Sequence, residues 1–369
     1  MKAFLNPNYS IKGVTHFSAP IAVATALLMI SGWISPTPAF HSFEEPQDRI
    51  QNKERYQFTS PHMGSRFRIV LYASSDSLAS AAADSAFRRV DELNEIMSDY
   101  QSDSELNQLA ATAGSGEYVP VSRPLFEVLH TAQMVAEQTG GAFDITAGPF
   151  VRLWREMRRD DHPQLPGEEA LREAARSVGY KHVHLDDSRQ KVMLEKPGMK
   201  LDLGGIAKGY AADEMQKVLY HFGITSVLID AGGDMVIGAA PPGTDGWRIA
   251  VSAHNEDGDP EPFLLTLTDT ALSTSGDLFQ FVEIDGTRYS HIIDPGTGLG
   301  ITERRTVTVI AGTGMLADAY STALSILPIS EGLDLINKKT GYAAYIEVAE
   351  TDGTVLSIAS ETFRELREK

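Results

Sequence analysis

The sequence predicts an α+β protein with mixed or antiparallel sheets, and three observations lead to this fold class. Apolar residues recur at steps of three and four in the early part of the chain, which is typical of amphipathic helices. Short β-branched runs bounded by Gly are frequent in the later part, which is typical of strands. No internal repeat or coiled-coil period is present.

The predicted helices are set by apolar periodicity and by capping residues. The periodic run from Ala83 to Met97 forms one, and Ser122 with Pro124 can begin the next, which ends at Gly140-Gly141. We expect helices over 83–97, 122–139, 168–177, 206–222 and 315–327. We expect strands over 67–72, 183–185, 191–194, 200–203, 225–230, 247–252, 263–267, 289–293 and 306–310.

The N-terminal forty residues differ from the rest of the chain. Lys2 and Lys12 precede an apolar run, 21–34, and the small-residue segment 35–39 follows it. This is the order of a secretory signal peptide. The alternative is a membrane anchor, although 14 apolar residues fall short of the roughly 20 that span a bilayer. We therefore expect a signal peptide over 1–39, a flexible extension over 40–55 and one functional domain over 56–369.

Composition excludes several classes of function. The formal net charge of −18 argues against nucleic-acid binding, which needs clustered Lys and Arg. The chain has no Cys, which excludes disulfides, thiolate catalysis, iron–sulfur ligation and anchoring through a lipobox Cys. Any metal site must use oxygen or imidazole ligands. An exported protein of the periplasm or cell envelope fits these features.

Acidic residues follow apolar runs next to Gly at seven places. These are Asp144, Asp202, Asp230, Asp234, Asp277, Asp294 and Asp318. One such Asp is usually a turn former or a helix cap. Their number suggests a shared site, because Gly lets the backbone approach a ligand and the amides that begin a helix bind phosphate.

The segment 201–213 is the most informative of these junctions. Gly204-Gly205 lies where a predicted strand leads into a helix, and Lys208 follows one turn later. The segment matches neither a Walker motif nor a dinucleotide fingerprint. It is suited to hold a pyrophosphate group.

Asp318 and Thr322 stand four residues apart on the last predicted helix and therefore share one face. A carboxylate and a hydroxyl are hard oxygen ligands that suit Mg²⁺. The alternative is a capping Asp and a Thr bonded to its own backbone. As a metal ligand, Asp318 is expected to be partly exposed.

His291 lies at the end of an apparent strand, just before the turn that contains Asp294 and Pro295. A His at that place can act as a general base or can be an ordinary hydrogen-bonded residue. The sequence alone leaves both readings open.

Taken together, these segments resemble the ApbE family of FAD:protein FMN transferases, over most of the chain from His62 to Leu324. The matching segments, in order, are 63–65, 97–100, 104–107, 141–144, 146–149, 201–213, 230–234, 273–277, 290–295 and 317–324. Their shared order is far more specific than any one motif. The resemblance implies an ApbE-like, T-fold-like architecture.

The resemblance also implies an activity and its residues. FAD would bind in a cleft beside Mg²⁺, FMN would pass to a Thr or Ser hydroxyl of an acceptor protein as a phosphoester, and AMP would leave. The FAD site would include Met63, Tyr100, Ala142, Phe143, Asp144, Asp202, Lys208 and Ile293. The magnesium ligands would be the carbonyl of Gly205 and the side chains of Asp318 and Thr322, with Ser321 as a helper, and His291 would be catalytic.

Two departures from the family and two rival functions accompany this interpretation. The family's lipobox Cys is missing, and Leu278–Gln280 is less polar than the family's corresponding segment. An FAD pyrophosphatase giving FMN and AMP, or a flavin-binding protein without turnover, would carry the same residues. The resemblance implies an acceptor such as a subunit of a respiratory complex. Membrane contact is expected only through that acceptor or through an uncleaved signal segment.

Overall fold

The computed structural model describes residues 53–159, 163–255, 257–276, 281–350 and 352–368. All of them fall within one compact unit, Ile50–Lys369. The predicted signal peptide over 1–39 lies outside the described residues, as do nearly all of the extension 40–55, Asp277 and Leu278–Gln280.

Helices and strands alternate irregularly along the described chain. The helices are α1 (Asp76–Met97), α2 (Glu105–Ala111), α3 (Arg123–Gln138), α4 (Gly148–Met157), α5 (Glu168–Ala175), α6 (Ala207–His221), α7 (Gly314–Ile326), α8 (Ile329–Asn337) and α9 (Glu361–Arg367). The strands are β1 (Glu54–His62), β2 (Ser65–Ala73), β3 (Val119–Pro120), β4 (Val183–Asp186), β5 (Lys191–Leu194), β6 (Val227–Ala231), β7 (Asp234–Ile237), β8 (Trp247–Val251), β9 (Phe263–Leu267), β10 (Thr270–Gly276), β11 (Phe281–Ile284), β12 (Thr287–Ser290), β13 (Arg304–Ala311), β14 (Ala343–Ala349) and β15 (Val355–Ala359).

One large sheet organises the molecule. Within the described residues it has eight strands in the order β1-β2-β6-β7-β10-β13-β14-β15. Every pairing in it is antiparallel. The predicted α+β class is therefore confirmed, and the sheet is antiparallel rather than mixed among the described strands.

The two faces of the sheet are covered differently. Alternate residues of a strand point to opposite faces, and Phe67, Ile69 and Leu71 pack into the core shared with α1, α3, α6 and α7. Val70 faces the other way, into a core formed with β8, β9 and α9. The helical face is the one that positions the candidate site, because α6 and α7 lie there against β7 and β10.

Smaller sheets flank the large one. One has three strands in the order β3-β5-β4, so that β5 pairs with both of the others. The other two pair β8 with β9 and β11 with β12. A third apolar cluster, formed by Phe150, Trp154 and Ile293, joins α4 to the segment after β12. No helix of the described part of the chain combines the length and the hydropathy that crossing a bilayer requires.

Three sequence expectations need correction. Residues 200–203 were expected to form a strand but are irregular, because Asp202 turns back to bond its own chain at Gly204. The expected strand over 289–293 ends at Ser290, and Ile293 forms only an isolated bridge with Gly300. Strand β1 begins at Glu54, so the last two residues assigned to the flexible extension belong to the sheet.

Candidate active site

The crossing of α6 and α7 brings two predicted site segments together. Gly209 packs so closely on α7 that a Cβ there would lie 2.1 Å from the Gly314 carbonyl oxygen and 2.9 Å from the Asp318 Cβ. The Gly209 amide donates a hydrogen bond to Asp318 Oδ2 at 3.1 Å. The Gly after Lys208 is therefore required by helix packing, and it fixes Asp318 against the start of α6.

Asp213 joins the same two helices one turn further along. Its carboxylate accepts hydrogen bonds from the amides of Gly314 (2.7 Å) and Met315 (2.9 Å), which begin α7. A carboxylate at a helix N-terminus satisfies free amides and complements the helix dipole. Burial nevertheless raises the pKa of Asp213 to about 6.

The three predicted magnesium ligands lie at this crossing. A Cβ on Gly205 would lie 2.8 Å from Thr322 Oγ1, so the Gly205 backbone contacts the Thr322 hydroxyl, and Asp318 lies one turn before Thr322 on α7. In the described residues no three His, Asp or Glu side chains converge as a metal cluster. A site with one carboxylate, one hydroxyl and one carbonyl is nevertheless suited to Mg²⁺, which takes its other ligands from water and phosphate.

The charged side chains around Lys208 indicate whether a cation would be stable beside Asp318. Lys208 forms an ion pair with Asp234, and Asp318 also faces it. Burial alone would lower the pKa of Lys208, but these two carboxylates outweigh it and raise that pKa. Burial, and then the Asp234 carboxylate, raises the pKa of Asp318 to about 7 in spite of Lys208. One ammonium thus faces two carboxyl groups, and a bound cation would favour the ionised form of Asp318. Asp318 is only 3% exposed, so the expectation of partial exposure was wrong.

A chain of hydroxyls supports this group from β10. Ser273 donates to Asp234 Oδ1 at 2.5 Å and lies 3.0 Å from Ser321 Oγ. Ser275 Oγ is 2.7 Å from the same Ser321 oxygen, which donates to the Asp318 carbonyl. Ser321 therefore faces β10, and its predicted role as a helper ligand stays a prediction.

A second group of predicted residues surrounds the turn before α4. Asp144 accepts hydrogen bonds from the amide and hydroxyl of Thr146 (2.8 and 2.6 Å) and from the Tyr180 amide (2.8 Å). Burial raises the pKa of Asp144 despite these bonds. Phe143 is buried and Ala142 is half-buried beside it. Asp144 therefore shapes this turn, and a contact of these three residues with FAD stays a prediction.

Asp202 is tied to that turn and to α4. Its amide donates to the Ile145 carbonyl at 2.8 Å, and its Oδ1 accepts from the Gly204 amide at 2.7 Å. Its Oδ2 accepts from Arg155 at 3.0 Å. Burial, followed by the neighbouring Asp99 carboxylate, raises the pKa of Asp202.

Met63 occupies the turn that joins β1 to β2. Both central residues, Met63 and Gly64, have positive φ (46° and 69°), as two-residue hairpin turns of the primed types require. A Cβ on Gly232, in the turn between β6 and β7, would lie 2.2 Å from Ser65 Oγ. The Met63 turn therefore adjoins the segment that ends in Asp234.

His291 and Ile293 lie on a bend after β12. His291 is half-buried and Ile293 is buried against Phe150 and Trp154. The Trp154 indole donates to the Gly298 carbonyl at 2.8 Å, which fastens this bend to α4. The predicted residues thus form three neighbouring groups connected through α4, α6 and α7.

The sequence assigned no individual role to four residues of these groups, although all but Arg155 lie in segments that match the family; they are Asp99, Arg155, Asp234 and Ser273. Asp234 carried a signal, since it is one of the Gly-flanked acids. Arg155 carried none, because its helix α4 was not predicted. Two open clefts, of about 500 and 660 Å³, lie elsewhere on the described surface and contain none of the predicted site residues.

Comparisons with known proteins identify the family of the chain. The model of the ApbE family matches residues 63–346. The FAD:protein FMN transferase of Klebsiella pneumoniae (strain 342) is 28% identical over 79% of this chain and 83% of its own. That of Treponema pallidum (strain Nichols) is 32% identical over 76% of this chain and 81% of its own.

Solved structures agree as well. The flavin transferase ApbE from Vibrio cholerae superposes with a TM-score of 0.77 at 29% identity, covering 85% of this chain and 99% of that one. The flavinyl transferase ApbE of Pseudomonas stutzeri, in its apo form, gives 0.76 at 28% identity over 86% and 98% of the two chains. The chain therefore belongs to the ApbE family, and it is a flavin transferase.

Proposed function

We propose that this flavin transferase moves the FMN half of FAD onto a Thr or Ser hydroxyl of an acceptor protein, releases AMP, and depends on Mg²⁺. The observation that carries the proposal is the group of Lys208, Asp234 and Asp318, in which one ammonium faces two buried carboxyl groups. It adjoins the oxygen ligands of Gly205 and Thr322. Such a group is built for a cation and for the charge of a phosphate.

Lys208, at the start of α6, is the proposed phosphate contact. The Ala207 and Gly209 amides of the same turn are already bonded to the Leu203 carbonyl and to Asp318 Oδ2. The Lys208 ammonium is half-buried and charged. It would hold the pyrophosphate of FAD, and Mg²⁺ would neutralise the phosphate charge when bound.

His291 is proposed as the general base that accepts the proton of the acceptor hydroxyl. An imidazole suits that task because its ordinary pKa is about 6.5. The bend after β12 that carries His291 packs against α4 through Ile293. Arg155 of the same helix donates a hydrogen bond to Asp202. Asp202 and the bend that carries His291 are thus both linked to α4, Asp202 through Arg155 and the bend through Phe150 and Trp154.

The acceptor hydroxyl separates this function from its two rivals. An FAD pyrophosphatase would use water in place of the hydroxyl, and a flavin-binding protein would perform no reaction. The relatives bear the name FAD:protein FMN transferase, which favours protein as the acceptor. We also propose that the chain acts outside the cytoplasm, because the segment 1–39 has the pattern of a signal peptide.

One experiment tests the reaction. The chain lacking residues 1–39 is incubated with FAD, MgCl₂ and a candidate acceptor, then run on a denaturing gel under ultraviolet light. Transfer gives a fluorescent acceptor band that disappears with EDTA and with an acceptor whose Thr is replaced by Val. Free FMN without a band indicates the pyrophosphatase, and unchanged FAD with every acceptor contradicts an enzymatic role.

A further inference from the structure

Arg155 on α4 contacts three elements at once. Its guanidinium pairs with Asp99, just after α1, and donates to Asp202 Oδ2 at 3.0 Å. Its Cζ also lies 4.1 Å from the centre of the Tyr100 ring. Arg155 therefore connects the Tyr100 loop to the turn that leads into Gly204-Gly205.

These ion pairs are partly shielded from water. The side chains of Arg155, Asp99 and Asp202 are 26%, 20% and 16% exposed. Without Arg155 between them, the Asp99 carboxylate would repel Asp202, whose pKa it helps to raise. A planar guanidinium can bridge two carboxylates and stack on a ring at the same time, which an ammonium group cannot do.

The Tyr100 ring is in contact with Arg155 and is also exposed to solvent. Tyr100 is 75% exposed, although the guanidinium lies over one face of its ring. The other face is therefore open to solvent. A large exposed aromatic ring normally gains little from one fixed position, so its fixation by a charged group favours a role in stacking.

We propose that Arg155 is a positioning residue that holds the Tyr100 ring as a stacking surface for a planar ring of FAD. The inference rests on the proposed function, in which Tyr100 and Asp202 belong to the FAD site. It adds a residue that neither the motifs nor the periodicity of the sequence indicate. Arg155 acts through Tyr100 and contacts no reacting atom.

The test is a double-mutant cycle on FAD affinity, read from the quenching of flavin fluorescence. The chain lacking residues 1–39 is compared as wild type, Arg155→Met, Tyr100→Leu and the double variant. We expect each single change to weaken FAD binding by about tenfold. We expect the double variant to lose less affinity than the product of the two single losses, because the part of the Arg155 effect that acts through the ring is already lost in Tyr100→Leu.

Two further variants guard against a purely structural effect. Arg152→Met is the matched control, since Arg152 is an exposed Arg of the same helix that pairs only with Glu156 among the described residues. It should leave FAD affinity unchanged. Arg155→Lys keeps the charge without the planar fork, and about a threefold loss is expected. If Arg155→Met does not fold, the cycle is completed with Arg155→Lys.

The outcomes are distinct. An Arg155 variant that binds FAD as wild type does, or losses that multiply in the double variant, would overturn the inference and leave the proposed function standing. A wild-type protein that does not bind FAD would overturn both. Transfer measured at saturating FAD should be nearly normal in Arg155→Met, because the change affects KM more than kcat.

Discussion

Replacing Gly209 by Ala should loosen the crossing of α6 and α7 and, with it, disturb the proposed magnesium site. The new Cβ would lie 2.1 Å from the Gly314 carbonyl oxygen and 2.4 Å from its carbon. These are backbone atoms, so no side chain can turn aside and the helices must separate. Since the same Cβ would lie 2.9 Å from the Asp318 Cβ, the separation moves a predicted metal ligand.

The magnitude follows from two opposing terms. Overpacking a close contact costs about 3 kcal/mol when backbone has to move. Ala in place of Gly inside a helix returns about 1 kcal/mol. The net loss of about 2 kcal/mol corresponds to a decrease in Tm of about 3 °C for the unit Ile50–Lys369, because the unfolding entropy is about 2.1 cal/mol/K per residue.

Thermal unfolding and the magnesium dependence of FAD turnover measure the two effects. Gly312→Ala is the control, because a Cβ there meets no atom within 4 Å. It should leave both quantities unchanged. A Gly209→Ala protein with the wild-type Tm and the wild-type magnesium requirement would show that the crossing is not as tight as described and that it does not set the metal site.

Three further predictions concern single side chains. Asp318→Asn should keep the acceptor for the Gly209 amide but abolish magnesium-dependent turnover, and unchanged turnover at limiting magnesium would refute its role as a ligand. His291→Asn should slow single-turnover transfer by about two to four orders of magnitude with little change in FAD affinity; a near-normal rate would leave His291 a structural residue. The fold raises the pKa of the Asp213 carboxyl from 3.8 to about 6. The folded state should therefore become less stable as pH rises from about 4 to 6, because the unfolded chain binds fewer protons there, and the full effect is on the order of 3 kcal/mol. Urea unfolding should show that the difference in free energy of unfolding between wild type and Asp213→Asn changes over this pH range, and a constant difference would contradict the prediction.

Much of the helical core was predictable because it depends on local patterns. The periodic run through Val90 and Leu93 is α1, and Ser122 caps α3 through the Leu125 amide as expected. The run 225–230 is largely β6, and Met315 lies in the first turn of α7. Each of these elements repeats one apolar spacing over several residues, so a single sequence is enough to reveal it.

The supporting residues of the site were not predictable in the same way. Arg155 reaches Asp99 and Asp202 across 56 and 47 residues of sequence, and no local pattern encodes such a contact. Residues 200–203 look like a strand because apolar and polar residues alternate there, yet the hydrogen bond from Gly204 to Asp202 turns the chain away. Pairs that depend on tertiary contacts appear only once the fold is known.

The hydrogen bond between Gly209 and Asp318 spans 109 residues, and this separation has a consequence for how the enzyme becomes active. Contacts that are distant in sequence form late in folding, because the intervening chain must first be ordered. The proposed cation site cannot exist until α7 has docked on α6. A chain that is still being synthesised, or that is kept unfolded for passage across a membrane, therefore has no complete site. Such a chain would leave the FAD around it intact until folding is finished.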